Sequence, residues 1–232
     1  MLTFALSYIN PSIMSLTSDY VSQGRILYLP EYHEIIEILG HKYGDQIPPA
    51  MMVRINAMHP LAFGHPVLVV SRPALEPDLV QFLVLTSGKK KTLDEKFTSS
   101  SDGRKEWYLP VYPTPDHPYN SETRPFPTLY LEENARMGCP SYVEINKIEC
   151  LQWSLLWPNR KATVPRDRLA AQSFKILLAH DCLQEVRDIP QVQEHEGHHE
   201  QASMLQKVRK VTRRCAITIV NPETRMPVQV PC

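Results

Sequence analysis

The sequence predicts a β-rich α+β fold organised around a small antiparallel barrel of about five to six strands. Short aliphatic and β-branched runs, each ended by turn residues, recur between residues 50 and 157. The 232 residues include 21 prolines against eight glycines, a balance that favours extended connections over long helices. Helical spacing of apolar side chains occurs in one segment before these runs and in one after them.

The two strongest strand candidates are residues 67–71 and 79–85, which are aliphatic runs too short for a typical helix. Pro66 precedes the first run, where a strand end tolerates the loss of a backbone donor. We therefore expect two neighbouring antiparallel strands. Alternate strand positions share a face, which predicts four buried side chains: Val67, Val69, Leu83 and Leu85.

Residues 1–45 are predicted to form an N-terminal lead-in with one short helix. No period is sustained before residue 30, whereas residues 31–41 place apolar side chains at helical spacing before the stop signal at Gly40. Residues 51–58 are expected to form either a first strand or an irregular arm against the barrel.

The barrel domain is predicted to span residues 46–160. The polar segment 89–105 is typical of a mobile surface loop. The six prolines between residues 110 and 127 predict an extended chain there. Further short strands are expected at residues 107–111, 128–131, 141–145 and 148–156.

Two segments follow the predicted barrel. Residues 161–187 are expected to contain a C-terminal helix, because their apolar side chains form one stripe at helical spacing. Residues 188–232 are predicted to be a mostly disordered tail, since residues 188–206 are polar and acidic. Five cations in residues 207–214 form a basic patch within this tail. Such a patch is typical of a nuclear-localisation or nucleic-acid-binding segment, and a solvated surface segment is the alternative.

Composition narrows the class of protein. Lysine and arginine number 25, as do aspartate and glutamate, so no global field recruits nucleic acid or an anionic membrane, and such binding would need a local patch. Five scattered cysteines without a C-x-x-C pair favour a reducing compartment. No stretch approaches the roughly 20 apolar residues of a membrane span. Residues 1–20 lack the basic start of a secretory leader. The sequence thus predicts a soluble intracellular protein, cytoplasmic or nuclear, without a membrane partner.

No cofactor or metal is predicted. The chain lacks a P-loop, a G-x-G-x-x-G turn and a G-x-S-x-G turn, so the common nucleotide-binding and hydrolase motifs are missing. Residues 194–200 bring histidines and glutamates close together, but they have no apolar surroundings that would orient metal ligands. A solvated segment is the favoured interpretation.

Three short motifs resemble those of the PemK/MazF-like family of small SH3-like barrels: Gly64–Ser71, Val84–Ser87 and Ser141–Val143. The resemblance covers roughly residues 60–145 and implies an SH3-like barrel. Bacterial members of that family are toxins that cleave RNA and associate as dimers. An arginine before the proline of the first motif and a threonine at the exit of the second strand form their catalytic site.

Carried over by position, the resemblance implies that Thr86 is the catalytic threonine, with Ser87 beside it, while His65 takes the place of the arginine. A guanidinium is always charged and holds a phosphate with two donors, whereas an imidazole with a pKa of about 6.5 is mostly neutral at pH 7. Histidine can still act as a general acid or base. The candidate catalytic residues are therefore His65, Thr86 and Ser87.

Four cations next to the two central strands are candidate substrate-binding residues, because phosphate contacts from such side chains position nucleic acid. An ordinary solvated hairpin end is the alternative interpretation. The four residues are Arg72, Lys89, Lys90 and Lys91.

Two functions stay open. The first is a non-catalytic or weakly active binding or accessory protein, serving a partner protein or a specialised metabolic pathway. The second is an RNA-binding, endoribonuclease-like protein, a hydrolase or phosphotransferase that uses His65 and Thr86. The expected partners are RNA or another protein, together with a second copy in a homodimer. A concave site that holds His65 and Thr86 one small ligand apart would favour the second function, and a filled surface would favour the first.

Overall fold

A computed structural model describes residues 16, 20–87, 91–99, 103–158, 168–180 and 183, and the backbone of residues 219–220 and 227–228. The chain divides into two compact units, residues 1–193 and residues 194–232. In the second unit, β8 (Ile219–Val220) and β9 (Pro227–Val228) form a short antiparallel pair.

The described part of the first unit contains seven strands and four α-helices. Their order along the chain is β1 (Ile26–Leu29), α1 (Tyr32–Tyr43), α2 (Pro49–Ala57), β2 (His65–Ser71), β3 (Leu79–Thr86), α3 (Leu93–Lys96), β4 (Tyr108–Val111), β5 (Ser141–Glu144), β6 (Glu149–Gln152), β7 (Trp157–Pro158) and α4 (Ala171–Ala179). Short 3-10 turns occupy Pro60–Ala62, Gly103–Trp107, Glu132–Asn134 and Trp153–Leu155.

The seven strands form one sheet in the order β4-β5-β3-β2-β1-β7, with β6 also paired to β3. Every ladder in this sheet is antiparallel. β3 takes part in three of them, because β2 lies along one edge while β6 and then β5 lie along the other. The β-rich α+β class is therefore confirmed, and β3 is its central strand.

Single bridges continue the sheet beyond β4. Tyr112 N–H donates to the Leu129 carbonyl at 2.8 Å, and Leu131 pairs with Leu169. Arg168 in turn pairs with Arg25, the residue before β1. The strand expected at residues 128–131 is thus reduced to isolated bridges. The proline-rich chain before it and the positive φ angles of the residues after it leave no room for a longer ladder.

Both faces of the sheet are buried. The first core cluster lies between the sheet and helices α1 and α2, and the second lies on the opposite face and includes a side chain of α4. Members of the first cluster include Leu27, Ile35, Leu39, Ile55, Val67, Val69, Phe82 and Val84. Members of the second include Ile26, Leu68, Leu83, Leu85, Leu109, Val143 and Leu177.

The expected burial of Val67, Val69, Leu83 and Leu85 is confirmed, since none is more than 1% exposed. The two strands are antiparallel neighbours, as predicted. The two valines belong to the first core cluster and the two leucines to the second. Strands that are covered on both faces have no polar face, which explains the continuous aliphatic runs of the sequence.

Two segments differ from the sequence-based expectation. Residues 26–29, expected in the lead-in, form β1. Its two faces enter different core clusters and are both apolar, so the sequence shows no alternation of polar and apolar residues there. Residues 49–57, expected as a strand or arm, form α2. Pro49 provides a fixed φ for the first turn, and Met51 and Ile55 lie one turn apart in the first core cluster.

Three further expectations are settled only in part. A C-terminal helix is present as α4, and its Leu177 joins the second core cluster. The polar segment 89–105 contains a short helix, α3, capped by Thr92. The disordered segment expected at residues 188–206 and the basic patch at residues 207–214 lie outside the described residues. Within the described part of the chain, no helix has the length and apolar character needed to cross a membrane.

Truncation of either core should destabilise the protein. We expect Val69→Ala and Leu83→Ala each to lower the free energy of unfolding by about 2–4 kcal/mol, because each empties a filled position in one core cluster. Val53→Ala on α2, where the side chain is 44% exposed, is the matched control and should change stability by less than about 0.5 kcal/mol. Urea unfolding followed by circular dichroism measures all three. Equal effects at positions 53 and 69 would contradict the two-core description.

Candidate functional site

β2 and β3 bring His65 and Thr86 to the same end of the sheet. Val67 pairs with Val84, and the same antiparallel register continued by two residues sets His65 opposite Thr86. Each lies two residues from one of these valines. Because side chains alternate along a strand, both belong to the face of the first core cluster. Both are half-buried. The register thus places the two main catalytic candidates at one end of the sheet, and their catalytic role stays a prediction.

The Phe63 carbonyl engages one ring nitrogen of His65. Nδ1 lies 2.9 Å from the Phe63 carbonyl oxygen. A carbonyl can only accept, so Nδ1 carries a proton and donates it to Phe63. This arrangement leaves Nε2 as the atom that could act as a general base.

Gly64 fixes how the chain enters β2. Its φ is +73°, a backbone conformation that residues with a side chain rarely adopt. Its N–H donates to the Leu29 carbonyl at 3.0 Å. The Glu31 carboxylate lies against its Cα, so that a Cβ at position 64 would overlap Glu31 Oε1. Glu31 is held in turn at the start of α1, where its N–H donates to the Glu34 carboxylate at 2.9 Å. A carboxylate is therefore packed against the residue next to His65.

The other sequence candidates do not all join this group. Ser87 follows Thr86 directly and is half-buried, and Lys91 is exposed at the residue before the Thr92 cap of α3. Lys89 and Lys90 lie outside the described residues. The role of Lys89, Lys90 and Lys91 as substrate-binding residues therefore stays a prediction.

Arg72 is at the wrong end of β2 for a shared site. Seven residues separate it from His65, which at roughly 3.3 Å per residue places the two about 20 Å apart. Its Nε and Nη2 donate to the Pro77 carbonyl at 3.4 and 3.3 Å, and its guanidinium carbon lies 6.0 Å from the centroid of the Trp153 ring. Arg72 thus contacts the β2–β3 connection, at the opposite end from Thr86.

A cation–aromatic cluster beside Thr86 was missed by sequence reasoning. Thr86 pairs with Tyr142, whose ring packs with those of Phe97 and Tyr108 in a third core cluster. Lys96 Nζ lies 4.5 Å from the Tyr108 ring centroid, and the Arg104 guanidinium carbon lies 4.9 Å from that of Phe97. The neighbouring letters Lys96-Phe97 were the available signal, but they stand in a segment that looks like a polar loop.

Burial changes the acid–base chemistry of this cluster. It raises the pKa of Tyr108 to about 12, so the phenol stays protonated at neutral pH. It lowers the pKa of the Lys96 ammonium, because desolvation disfavours the charged form. Lys105 is buried nearby, and its Nζ lies 2.5 Å from Asp94 Oδ1. The ion pair ties α3 to the 3-10 turn that precedes β4.

Metal ligands are not grouped in the described part of the chain, where no set of three or more histidine, cysteine, aspartate or glutamate side chains could hold an ion. Outside it, residues 195–199 read His-Glu-Gly-His-His and match the H-E-x-x-H pattern, which the sequence-based interpretation overlooked. That pattern binds zinc only where a helix places both histidines on one face. The solvated segment predicted for residues 194–200 stays a prediction, because these residues lie outside the described ones.

Comparison with known proteins assigns no family, since no protein-family model, no curated protein and no solved structure matches the chain. The class that the fold defines is a β-rich α+β protein with an antiparallel sheet buried on both faces.

Substitution of Gly64 should be costly. We expect Gly64→Ala to lower the free energy of unfolding by about 1–2 kcal/mol or more, since the positive φ strains an L-residue and the new methyl group displaces the Glu31 carboxylate. Gly40→Ala in α1 is the matched control. A Cβ there meets nothing within 4 Å, and alanine should stabilise the helix by about 0.5–1 kcal/mol.

Thermal unfolding of both variants and of Glu31→Ala/Gly64→Ala separates the two causes. Removal of the Glu31 carboxylate should restore the stability that is lost through steric overlap. The loss that comes from backbone strain should remain. Equal melting temperatures for Gly64→Ala and the parent chain would contradict the described entry into β2.

Proposed function

We propose that this protein is a small SH3-like barrel of the PemK/MazF type that acts as a non-catalytic or weakly active binding or accessory protein. The observation that carries the proposal is that β2 begins with a histidine at the sheet end where Thr86 lies, while the Arg104 guanidinium of the neighbouring cluster lies over the Phe97 ring. His65 occupies the position that an arginine fills in the family, and Arg72 is about 20 Å away along β2.

Backbone hydrogen bonds support the barrel part of the proposal. The bridges beyond β4 pass through residues 129–131 and 168–169 and end at Arg25, one residue before β1. Leu169 N–H donates to the Gly24 carbonyl at 2.9 Å, and Gly24 N–H donates to the Val69 carbonyl of β2 at 2.8 Å. This path of backbone contacts from β4 to the residues before β1 supports the proposal of a barrel around the second core cluster.

Electrostatics favour binding over cleavage. Phosphoryl transfer depends on fixed positive groups at the charge that develops in the transition state. His65 does not provide the permanent charge of a guanidinium, and two described cations of the neighbouring cluster, Lys96 and Arg104, lie over aromatic rings. The surface around them also carries Asp94 and Glu95. Opposite charges side by side are a better match for a protein surface than for a phosphate backbone.

One observation favours the alternative function, an RNA-binding endoribonuclease. The Phe63 carbonyl accepts a hydrogen bond from His65 Nδ1, and the antiparallel register of β2 and β3 brings His65 toward the sheet end where Thr86 lies. A neutral imidazole beside a hydroxyl is a workable general base. This geometry makes a direct test of RNA cleavage worthwhile.

RNA should remain intact in the presence of the purified chain. We expect no difference between the parent chain and His65→Ala when each is incubated with mixed RNA at low salt and the products are separated by gel electrophoresis. The reason is that His65 holds the position of the family's arginine and that Lys96 and Arg104 lie over aromatic rings. Cleavage by the parent chain that His65→Ala abolishes would establish the endoribonuclease function. In that case, replacing Lys89, Lys90 and Lys91 by alanine should weaken binding of all RNA sequences about equally.

Partner binding should depend on the cation–aromatic cluster beside Thr86. We expect Arg104→Glu to lower the affinity for a protein partner about tenfold or more, because it reverses the charge of the cation that lies over the Phe97 ring on this surface. Lys175→Glu on α4 is the matched control and should leave the affinity unchanged. Cross-linking followed by mass spectrometry identifies candidate partners, and titration calorimetry measures each variant. Equal loss in both variants would count against this surface.

A further inference from the structure

The His117 imidazole bridges two backbone groups from different segments and is 3% exposed. Nε2 lies 2.9 Å from the Lys105 carbonyl oxygen, and Nδ1 accepts from Tyr119 N–H at 3.0 Å. A carbonyl can only accept and a backbone amide can only donate, so the two partners fix the neutral tautomer that carries its proton on Nε2. A second proton would have to bind to Nδ1, and the hydrogen bond from Tyr119 N–H would then be lost.

Ring contacts hold the same imidazole from its faces and edge. It stacks on Phe126, with centroids 4.2 Å apart and planes at 15°, and it meets the Tyr119 ring edge-on at 5.6 Å. Phe126 belongs to the second core cluster and lies 6.3 Å from the ring of His180 at the end of α4. The bridge therefore ties residues 113–125, which contain no helix or strand, to the core and to the turn before β4.

We propose that the His117 bridge is an acid-sensitive latch, which holds residues 113–125 closed at neutral pH and releases them when the imidazole takes up a second proton from solvent. The second proton can bind only to Nδ1, where it meets the Tyr119 N–H. Two donors then face each other, the hydrogen bond is lost, and a charge appears in a buried position. Opening of the segment hydrates the imidazolium and removes both costs.

The surrounding charges do not cancel this effect. Burial lowers the pKa of His117, and the Lys105 carbonyl and the carboxylates of Asp94 and Glu106 offset part of that, while the Lys105 ammonium lowers it further. Asp94 is paired with Lys105, and Glu106 is paired with Arg124. A folded-state pKa below the reference value of about 6.5 means that the closed form is fully favoured above that pH and becomes less favoured as the pH falls below it.

Hydrogen exchange of the full chain tests the latch. We expect protection of the Tyr119 amide and of residues 113–125 to fall by up to about tenfold per pH unit below pH 6.5, after correction for intrinsic exchange, because opening takes up one proton. Amides in β2 and β3 should keep their protection. His117→Gln retains one donor and one acceptor but does not titrate, so its protection should not depend on pH in this range. His33→Gln, at an exposed position on α1, is the matched control and should behave like the parent chain.

Three results would overturn the latch: protection of residues 113–125 that does not change with pH, the same acid dependence in His117→Gln, or an equal loss of protection in β2 and β3, which would mean global unfolding. A titration of the histidine Cε1–H signals of the parent chain gives an independent readout. His117 should titrate below about 6.5, and a higher pKa would also reject the proposal. This readout decides the question even if His117→Gln does not fold.

Discussion

The rest of the structure depends on the burial of β3 on both faces and its pairing along both edges. Its alternate side chains enter the first and the second core cluster, while β2 lies along one edge and β6 and β5 along the other. A register slip of one residue would exchange the two sets of side chains between cores of different shape. β3 therefore sets the positions of six other strands and of the helices packed on them.

This burial also determines where a functional group can stand. A side chain in the middle of β2 or β3 is enclosed by one core or the other and cannot reach a ligand. Only the strand ends remain, and His65 enters β2 where Thr86 leaves β3. At that end β3 pairs with β5, so Tyr142 brings the cation–aromatic cluster next to Thr86. The position of the candidate site and of the cations beside it thus follows from the pairing of β3, which has β6 as its partner at residues 79–82 and β5 at residues 85–86.

The proline-rich connection between β4 and β5 solves a different problem. Prolines lack a backbone donor, so this segment cannot form a regular ladder, and side chains hold it in place instead. Thr114 Oγ1 donates to the Ser141 carbonyl at 2.9 Å and accepts from Ser141 N–H at 2.7 Å. His117 provides a second attachment of the same kind. A segment held by a few side-chain bonds can open locally while the sheet remains paired.

The sequence by itself determined the strands at residues 67–71 and 79–85 and the first helix, because short aliphatic runs bounded by turns specify an antiparallel pair and helical spacing specifies a helix. Only the tertiary structure decided that residues 26–29 and 49–57 are β1 and α2. Burial on both sides removes the alternation by which a strand is recognised. The tertiary structure also placed Arg72 at the opposite end from Thr86 and placed the cluster that contains Lys96 beside Thr86. The distance between side chains depends on register and on chain reversal, which local composition does not encode.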